Sequence, residues 1–386
     1  MAERASGGIG TGNPKRRATK KAPNRSSLTS RFARILGIVN LPARILVFGY
    51  RHLGDSLFLT PMLRALARRY PAAEIVVTAH GAGAAALASN PHVSHIEKLT
   101  GRGLAPKLAL LPRLRRKRFD AAIVAQHTLP NAVLARALGC PVRVGLASRG
   151  CGRWLTHPVA DQGLCHEADR YLALAAALDA APVGAGLEYH VPDTDRSSAR
   201  AALARHGLAG RLAHGGARRP PLVALFPGSS PEWAFKRWPA ERFARLGTEL
   251  VARHGARVLV VGGPADTAAM ADVSAGITAA HAVDDTPGSL GRFAGLLAEC
   301  DVLITNDSGP MHLAAAVGTR VVDLAGPSDP RRTGPYGPGH VVIQKVPPGS
   351  PKDWATAADP ALPMKLILVE DVLAAVGPLV ADSAAA

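Results

Sequence analysis

The stretch that decides the fold is residues 44–66, RILVFGYRHLGDSLFLTPMLRAL. It opens with a short apolar run that predicts a β-strand over Ile45–Phe48. The turn Leu53-Gly54-Asp55 follows, and apolar residues at helical spacing then predict a helix that runs to Tyr70 and ends before Pro71. A strand, a glycine-bearing turn and a helix in this order are the first half of a βαβ unit.

The same alternation continues on both sides of a Gly-, Arg- and Pro-rich segment at 211–221, which has the composition of a linker. Further strands are predicted at Glu74–Thr78, Ala121–Ala125, Leu222–Phe226, Arg257–Val261, Val302–Thr305 and Arg320–Leu324. Two such series predict an α/β protein with two Rossmann-like domains facing each other across a central cleft, and a length of 386 residues suits two cores. The predicted divisions are a basic tail at 1–40, an N-terminal domain at 41–200, a C-terminal domain at 201–360, and a closing helix and tail at 361–386.

The formal charge of +17 is unevenly distributed. Much of the excess lies in the first 34 residues, where Glu3 is the single acid. The basic residues there are Arg4, Lys15, Arg16, Arg17, Lys20, Lys21, Arg25, Arg31 and Arg34. This segment is rich in Gly, Ser, Pro and Asn and has no helical or strand period before Leu28, which predicts a disordered tail.

Helical spacing of apolar residues begins only at the end of this tail. The residues concerned are Leu28, Phe32, Ile35, Leu36 and Val39, with Arg31 and Arg34 between them. One interpretation is a short amphipathic helix that lies on an anionic membrane. The other is a helix that packs on the first domain.

A second basic run falls on a predicted surface helix. It consists of Arg113, Arg115, Arg116, Lys117 and Arg118. This run is either a solvated face or a surface that attracts an anionic membrane or a phosphorylated acceptor. Nucleic acid is not predicted as a partner, because no aromatic residues interleave with the basic ones.

Cysteine spacing and the N-terminal sequence favour a cytoplasmic location. Cys140, Cys151, Cys165 and Cys300 show no CxxC spacing, which favours free thiols in a reducing compartment. The polar start lacks the features of a secretory signal, and the apolar stretch Ile35–Leu41 is too short to span a bilayer. Peripheral contact with the cytoplasmic face of the inner membrane stays open as an alternative.

Asp55 is the first candidate catalytic residue. Its position between a strand and a helix predicts that it lies at the carboxyl end of the sheet, beside the cleft. We expect Gly54 to permit a tight turn and the helix amides to keep the carboxylate ionised. Such a carboxylate can accept the proton of an attacking sugar hydroxyl; alternatively, Asp55 only caps its helix.

The second candidate site follows the predicted strand Leu222–Phe226. Ser229 and Ser230 lie just past its end, where hydroxyls and free amides suit phosphate oxygens. Lys236 comes next, and its charge would stabilise a departing diphosphate; the alternative is an ordinary surface lysine. Arg237 takes this role if the register is shifted by one residue.

The third candidate site is a short predicted helix after Asp307. Ser308 is the predicted N-cap, and Gly318 is predicted just past the helix end. The amino end of such a helix binds anions through unpaired amides, which we expect Ser308, Gly309 and Met311 to provide.

Two polar side chains accompany this helix end. Asp307 can accept hydrogen bonds from the hydroxyls of a donor sugar. His312 is either a hydrogen-bonded structural histidine or a group close to the donor.

Three segments in this order resemble glycosyltransferase family 9, the ADP-heptose:lipopolysaccharide heptosyltransferases. They are residues 44–66, residues 228–239 (GSSPEWAFKRWP), and residues 305–318 (TNDSGPMHLAAAVG) with residues 326–337 (GPSDPRRTGPYG) behind them. One segment alone would say little, but the ordered set is specific.

The resemblance implies the GT-B arrangement and an inverting, metal-independent transfer of heptose from ADP-heptose to a lipopolysaccharide core, a glycolipid acceptor. It implies that Asp55 is the base, that Lys236 binds the donor phosphates and that His312 lies close to the donor. Asp266 stands where the family usually has an acidic residue near the nucleotide ribose. No cofactor is implied besides the nucleotide-sugar substrate.

Two acidic patterns look like metal sites but favour helix starts. Asp193-Thr-Asp195 spells DxD, yet it directly precedes a predicted helix, so helix capping explains it better. His166-Glu-Ala-Asp169 has no second histidine at i+4 and begins a long predicted helix. No metal site is therefore predicted.

Gly49 departs from the family, many of whose members have arginine there, and this change would alter acceptor binding. One alternative function is a transferase that uses another nucleotide sugar or a non-lipopolysaccharide acceptor. A more distant one is a non-catalytic nucleotide-sugar-binding or membrane-associated scaffold protein.

Overall fold

Two parallel β-sheets covered by helices make up the described part of the chain. The computed structural model describes residues 42–101, 105–208, 220–277, 282–285, 288–349 and 351–385. The predicted basic tail at 1–40 and its amphipathic segment lie outside the described residues, as do residues 211–219 of the predicted linker.

The N-terminal sheet has six parallel strands in the order β3-β2-β1-β4-β5-β6. The strands are β1 (Arg44–Phe48), β2 (Glu74–Ala79), β3 (His95–Lys98), β4 (Ala121–Val124), β5 (Val142–Leu146) and β6 (His157–Val159). Its helices are α1 (Leu53–Leu57), α2 (Thr60–Arg69), α3 (Gly81–Leu87), α4 (Ala105–Lys117), α5 (Leu129–Ala137) and α6 (Glu167–Ala176). In this strand order, ligands bind beyond the carboxyl ends of the strands where the order reverses, which is beside β1.

The C-terminal sheet repeats the same topology in the order β12-β11-β10-β7-β8-β9. Its strands are β7 (Leu222–Phe226), β8 (Arg257–Val261), β9 (Ala282–Asp285), β10 (Val302–Asn306), β11 (Arg320–Leu324) and β12 (Val341–Ile343). The remaining helices are α7 (Asp193–Arg205), α8 (Ala240–His254), α9 (Thr267–Gly276), α10 (Leu290–Glu299), α11 (Gly309–Ala316), α12 (Pro330–Thr333), α13 (Pro351–Ala355), α14 (Leu362–Lys365) and α15 (Val369–Ala385). The prediction of two Rossmann-like domains is therefore confirmed.

The central strands are largely apolar because helices cover both faces of each sheet. All five residues of β7 are buried. The predicted bounds of β7, β8 and β11 agree with the structure.

The predicted single helix up to Tyr70 is wrong, because the chain forms α1 and α2 with a break between them. Pro61 has no N–H with which to continue the hydrogen-bond ladder to the carbonyl of Leu57. The hydroxyl of Thr60 donates to that carbonyl instead, at 2.7 Å. A new helix then begins at Thr60.

Helix α7 packs on the C-terminal domain, against α10. Arg200 Nε lies 2.6 Å from Glu299 Oε1, and Ser289 Oγ donates to Asp195 Oδ1 at 3.0 Å. The predicted boundary between residues 200 and 201 therefore falls inside a helix that belongs with the second sheet.

The end of the described chain also closes on the C-terminal domain. The sequence predicts one helix from Met364 to Val380, and the structure has α14 and α15, with α15 packed on α8.

Across the described ranges, no helix combines the length and the apolar character needed to cross a membrane.

Candidate active site

A cleft of about 1250 Å³ lies beyond the carboxyl ends of β1, β7 and β10. Nearly all the predicted site residues line it, namely Asp55, Ser229, Ser230, Lys236, Asp266, Asp307, Ser308, Gly309 and His312. Asp55 comes from the N-terminal domain and the others from the C-terminal domain. Residues far apart in sequence are thus brought to one cavity, and only Met311 is left out.

Asp55 lies in the first turn of α1, with His52 at the N-cap position. Asp55 is therefore not the cap of this helix. Burial raises the pKa of Asp55, the nearby His52 partly opposes this, and Glu167 adds to it. The shift is opposite in direction to the one expected from the helix amides. A raised pKa brings a carboxylate closer to the pH at which a general base works best.

Gly54 allows the two domains to approach closely, and it does not form a turn. Its backbone is helical, and a Cβ there would lie 2.4 Å from Cδ2 of His312. At the same contact, a Cβ on Gly309 would lie 3.3 Å from Cδ2 of Leu53. The first turns of α1 and α11 thus meet, with a glycine of each helix beneath a side chain of the other. The turn explanation for Gly54 is wrong.

We expect Gly54→Ala to lower the free energy of unfolding by about 1–3 kcal/mol, the usual effect of overpacking a tight contact. Gly309→Ala is a matched control in the same contact, because both changes add one methyl to the first turn of a helix. Its new methyl would lie no closer than 3.3 Å to the side chain of Leu53, so we expect a change below about 1 kcal/mol. Urea unfolding monitored by circular dichroism measures both, and equal effects would contradict the proposed clash.

Lys236 and Asp307 form an ion pair inside the cleft, with Nζ 2.5 Å from Oδ2. Both side chains are only 11% exposed. Burial raises the pKa of Asp307, but the charge of Lys236 and hydrogen bonds from Lys236 and Ser328 outweigh it, so the net pKa is lowered. Lys236 is therefore neither a surface lysine nor an uncompensated cation.

The amino end of α11 opens into the cleft as predicted. Ser308 is the N-cap, its hydroxyl is buried, and it has no hydrogen-bond partner among the described residues. Gly318 follows the helix end with a φ of +80°, as predicted. Met311 lies behind the cleft wall, and its N–H donates to the carbonyl of Ser308 at 3.1 Å. That amide is engaged within the helix, so the structure adds no support to Met311 as a donor-binding residue.

His312 lies at the base of the cleft, between the domains. Its ring packs edge-on against Phe58 at a centroid distance of 4.5 Å. Burial lowers the pKa of His312 to about 4, although Asp307 acts in the opposite direction. The imidazole is therefore neutral near pH 7, and its Nδ1 has no hydrogen-bond partner in the described chain. The interpretation as a fully hydrogen-bonded structural histidine does not hold for this nitrogen.

The loop after β7 separates the roles of Lys236 and Arg237. Arg237 turns away from the cleft, and its Nε donates to Ser229 Oγ at 3.1 Å while Nη2 donates to the Ser229 carbonyl at 2.9 Å. Ser229 is thereby held in place, whereas Ser230 is exposed at the cleft. Lys236 thus lines the cleft, whereas Arg237 does not.

Asp266 lies at the cleft edge in a short 3₁₀-helix, Pro264–Asp266. Its Oδ2 accepts a hydrogen bond from the Gly263 amide at 2.9 Å. A Cβ on Gly228 would lie 2.1 Å from Asp266 Oδ1, so this loop needs glycine where the carboxylate passes over it. Asp266 thus lines the cleft and already has one backbone partner.

Several cleft residues were not predicted from the sequence, among them Phe58, Ser328 and Arg332. Phe58 is part of an apolar run that looks like ordinary core. Ser328 and Arg332 belong to residues 326–337, a segment that takes part in the resemblance without an assigned role. The consecutive Arg331 and Arg332 in this segment were the sequence feature that could have indicated a cation at the cleft.

The two metal-like patterns are both helix starts. Pro192 is the N-cap of α7, so Asp193 and Asp195 lie in its first turn and do not cap it, contrary to the prediction. His166 caps α6, and its Nδ1 accepts a hydrogen bond from the Ala168 amide at 3.1 Å. Within the described ranges, no group of three or more His, Cys, Asp or Glu residues could hold a metal ion.

Several cations of α4 are engaged within the N-terminal domain. Buried Glu97 on β3 lies 2.8 Å from Lys117 Nζ and 3.3 Å from Arg113 Nη2. Arg115 Nε donates to the carbonyl of Ala137 at 2.9 Å. The contacts with Glu97 reduce the charge that the helix offers to a membrane or an anionic acceptor.

Comparisons with solved structures confirm the GT-B prediction. A structure described as glycosyl transferase family 9 from Veillonella parvula DSM 2008 has a TM-score of 0.73 and 25% identity, covering 88% of this chain and 97% of that one. The E. coli ADP-heptose lps heptosyltransferase II structure has a TM-score of 0.67 and 25% identity, covering 88% of this chain and 99% of that one.

Sequence comparisons agree. A relative named lipopolysaccharide heptosyltransferase 2 from Escherichia coli (strain K12) is 30% identical over 324 residues, covering 78% of this chain and 88% of that protein. Residues 107–355 match a family model described as "Glycosyltransferase family 9 (heptosyltransferase)". This match covers more than half of the chain, and the fold and motifs of the chain agree with the family. The protein therefore belongs to glycosyltransferase family 9.

Proposed function

We propose that this protein transfers heptose from ADP-heptose to a lipopolysaccharide core acceptor. The names of the relative from E. coli and of the similar E. coli structure support both substrates. The observation that carries the proposal is the cleft itself. Asp55 of one domain shares this cleft with the Lys236–Asp307 pair and the amino end of α11 from the other domain.

The proposed reaction is a single in-line displacement. Asp55 accepts the proton of the acceptor hydroxyl while that oxygen forms a bond to the anomeric carbon of the donor sugar. The bond from that carbon to the diphosphate breaks, and ADP leaves with the electron pair. The carboxylate with the raised pKa is suited to the proton transfer.

The donor is proposed to bind on the C-terminal side of the cleft. The amides of Ser308 and Gly309 and the charge of Lys236 would contact the diphosphate, and Asp307 the sugar hydroxyls. Asp266 would contact the ribose. The donor is a substrate, and the proposed step uses no further cofactor.

The acceptor is proposed to approach from the side of the N-terminal domain, next to Asp55. A glycolipid acceptor is held in a membrane, so we also propose that the enzyme is cytoplasmic and contacts the anionic inner membrane through its basic tail at 1–40. Liposome binding of the full chain and of a chain lacking the tail, compared across salt concentrations, tests this contact. Unchanged binding without the tail would contradict it.

The decisive experiment for the reaction is ADP release from ADP-heptose by the purified protein. We expect release that depends on a heptose-deficient lipopolysaccharide core. If ADP-heptose binds and no release follows with this acceptor, the acceptor assignment is wrong. If no nucleotide sugar binds, the proposed function as a whole is wrong.

A further inference from the structure

The charge of Lys236 is largely compensated before any donor binds. Its partner Asp307 lies 2.5 Å away, so the pair together carries almost no net charge toward a ligand. Two other cations among the described residues line the cleft, Arg332 and Lys352. A nucleoside diphosphate brings several negative charges, which one neutralised lysine balances poorly.

Arg332 is placed to change partners. It belongs to α12 and lines the cleft, and its Nη2 lies 3.4 Å from Glu167 Oε1 on the N-terminal domain. This distance is long for a charge-assisted bond, and the arginine side chain is 42% exposed. Glu167 also lies 3.7 Å from Arg170 Nε, so it keeps a cation when Arg332 leaves.

The backbone near Arg332 is bonded to α6, the helix that begins with Glu167. His166 accepts from the Ala168 amide through Nδ1, so its Nε2 carries the hydrogen and donates to the Gly334 carbonyl at 3.1 Å. Tyr336 donates its hydroxyl proton to Asp169 Oδ1 at 2.5 Å. These two bonds hold the chain beyond Arg332, whereas the side chain of Arg332 itself is partly exposed.

We propose that Arg332 is a second cationic ligand of the donor diphosphate and that Glu167 competes with the diphosphate for it. Without donor, Arg332 pairs with Glu167 across the domains; with donor, its guanidinium binds the phosphate oxygens. This inference rests on the proposed function, because it takes a nucleoside diphosphate as the ligand of the cleft.

Competition predicts opposite effects for the two members of one ion pair. If the pair were only structural, removing either charge would weaken binding or leave it unchanged. If Glu167 competes for Arg332, then Arg332→Gln weakens ADP binding and Glu167→Gln strengthens it. Glu167→Gln also removes a negative charge near the cleft, which could strengthen ADP binding without any competition for Arg332. The double variant Arg332→Gln/Glu167→Gln separates these two effects.

The test is the Kd of ADP, measured by isothermal titration calorimetry at one salt concentration. We expect Arg332→Gln to raise Kd roughly tenfold to a hundredfold, the usual effect of losing one charge-assisted bond. We expect Glu167→Gln to lower Kd about two- to fivefold, the usual strength of a partly exposed ion pair. In the Arg332→Gln background, Glu167→Gln should leave Kd unchanged.

Arg331→Gln is the matched control, because Arg331 carries the same charge next in the chain but pairs with Asp329 at 2.8 Å and does not line the cleft. We expect less than a twofold change in the Kd of ADP, and the unfolding midpoint of each variant checks that the fold is intact. Weaker binding in both single variants, or equal strengthening by Glu167→Gln in both backgrounds, would overturn the inference while leaving the proposed function intact. An Arg331→Gln effect as large as that of Arg332→Gln would also overturn it, and absence of ADP binding by the wild type would overturn both.

Discussion

Replacing Asp55 with asparagine is expected to reduce acceptor-dependent ADP release by about 10²–10⁴-fold, the usual contribution of a general base. The amide has nearly the shape of the carboxylate but cannot take the proton of the acceptor hydroxyl. Because Asp55 comes from the N-terminal domain and the proposed donor contacts come from the other domain, the Kd of ADP should change little. Steady-state assays of ADP release and calorimetric ADP titrations measure the two quantities.

Stability provides an internal control for the asparagine variant. Burial raises the pKa of Asp55 in the folded chain, so ionisation of this carboxyl costs stability as the pH rises above its unfolded value of about 3.9. The variant should therefore be more stable than the wild type at neutral pH, and the difference should vanish in acid below that value. An inactive variant that is less stable at neutral pH would point to structural damage and not to a lost base.

The fold was largely predictable because each central strand carries its own local signal. The runs at β7, β8 and β11 are mainly apolar and are bounded by turn residues, so their ends could be located. The assignment of α7 could not be predicted in this way. Its membership of the C-terminal domain depends on contacts such as Arg200 with Glu299, which are far apart in sequence.

The candidate site was predictable as a set of residues but not as a set of contacts. Strand ends and helix starts identified Asp55, Lys236 and Ser308. The Lys236–Asp307 pair and the packing of His312 on Gly54 join residues from different segments, so no local pattern reveals them. The pKa of Asp55 depends on burial, which the sequence of one turn does not determine.

Replacing Lys236 with methionine is expected to reduce the rate of ADP release by about 10²-fold, because the departing diphosphate loses a positioned, charged hydrogen-bond donor. The same change should lower the free energy of unfolding by about 3–5 kcal/mol, since it leaves the buried Asp307 carboxylate without its cation. Burial then dominates, and the pKa of Asp307 should move from below to above its ordinary value. The stability loss should therefore shrink as the pH falls and Asp307 becomes protonated.

The double variant Lys236→Met/Asp307→Asn separates the two consequences. With the carboxylate also removed, no unpaired charge stays buried, so most of the stability should return. Activity should stay low, because neither the cation nor the proposed sugar contact is restored. Urea unfolding and ADP-release assays on the single and double variants measure this. Recovery of activity together with stability would show that Lys236 acts only by compensating the buried charge of Asp307, and the roles proposed for Lys236 in catalysis and for Asp307 in sugar binding would then be wrong.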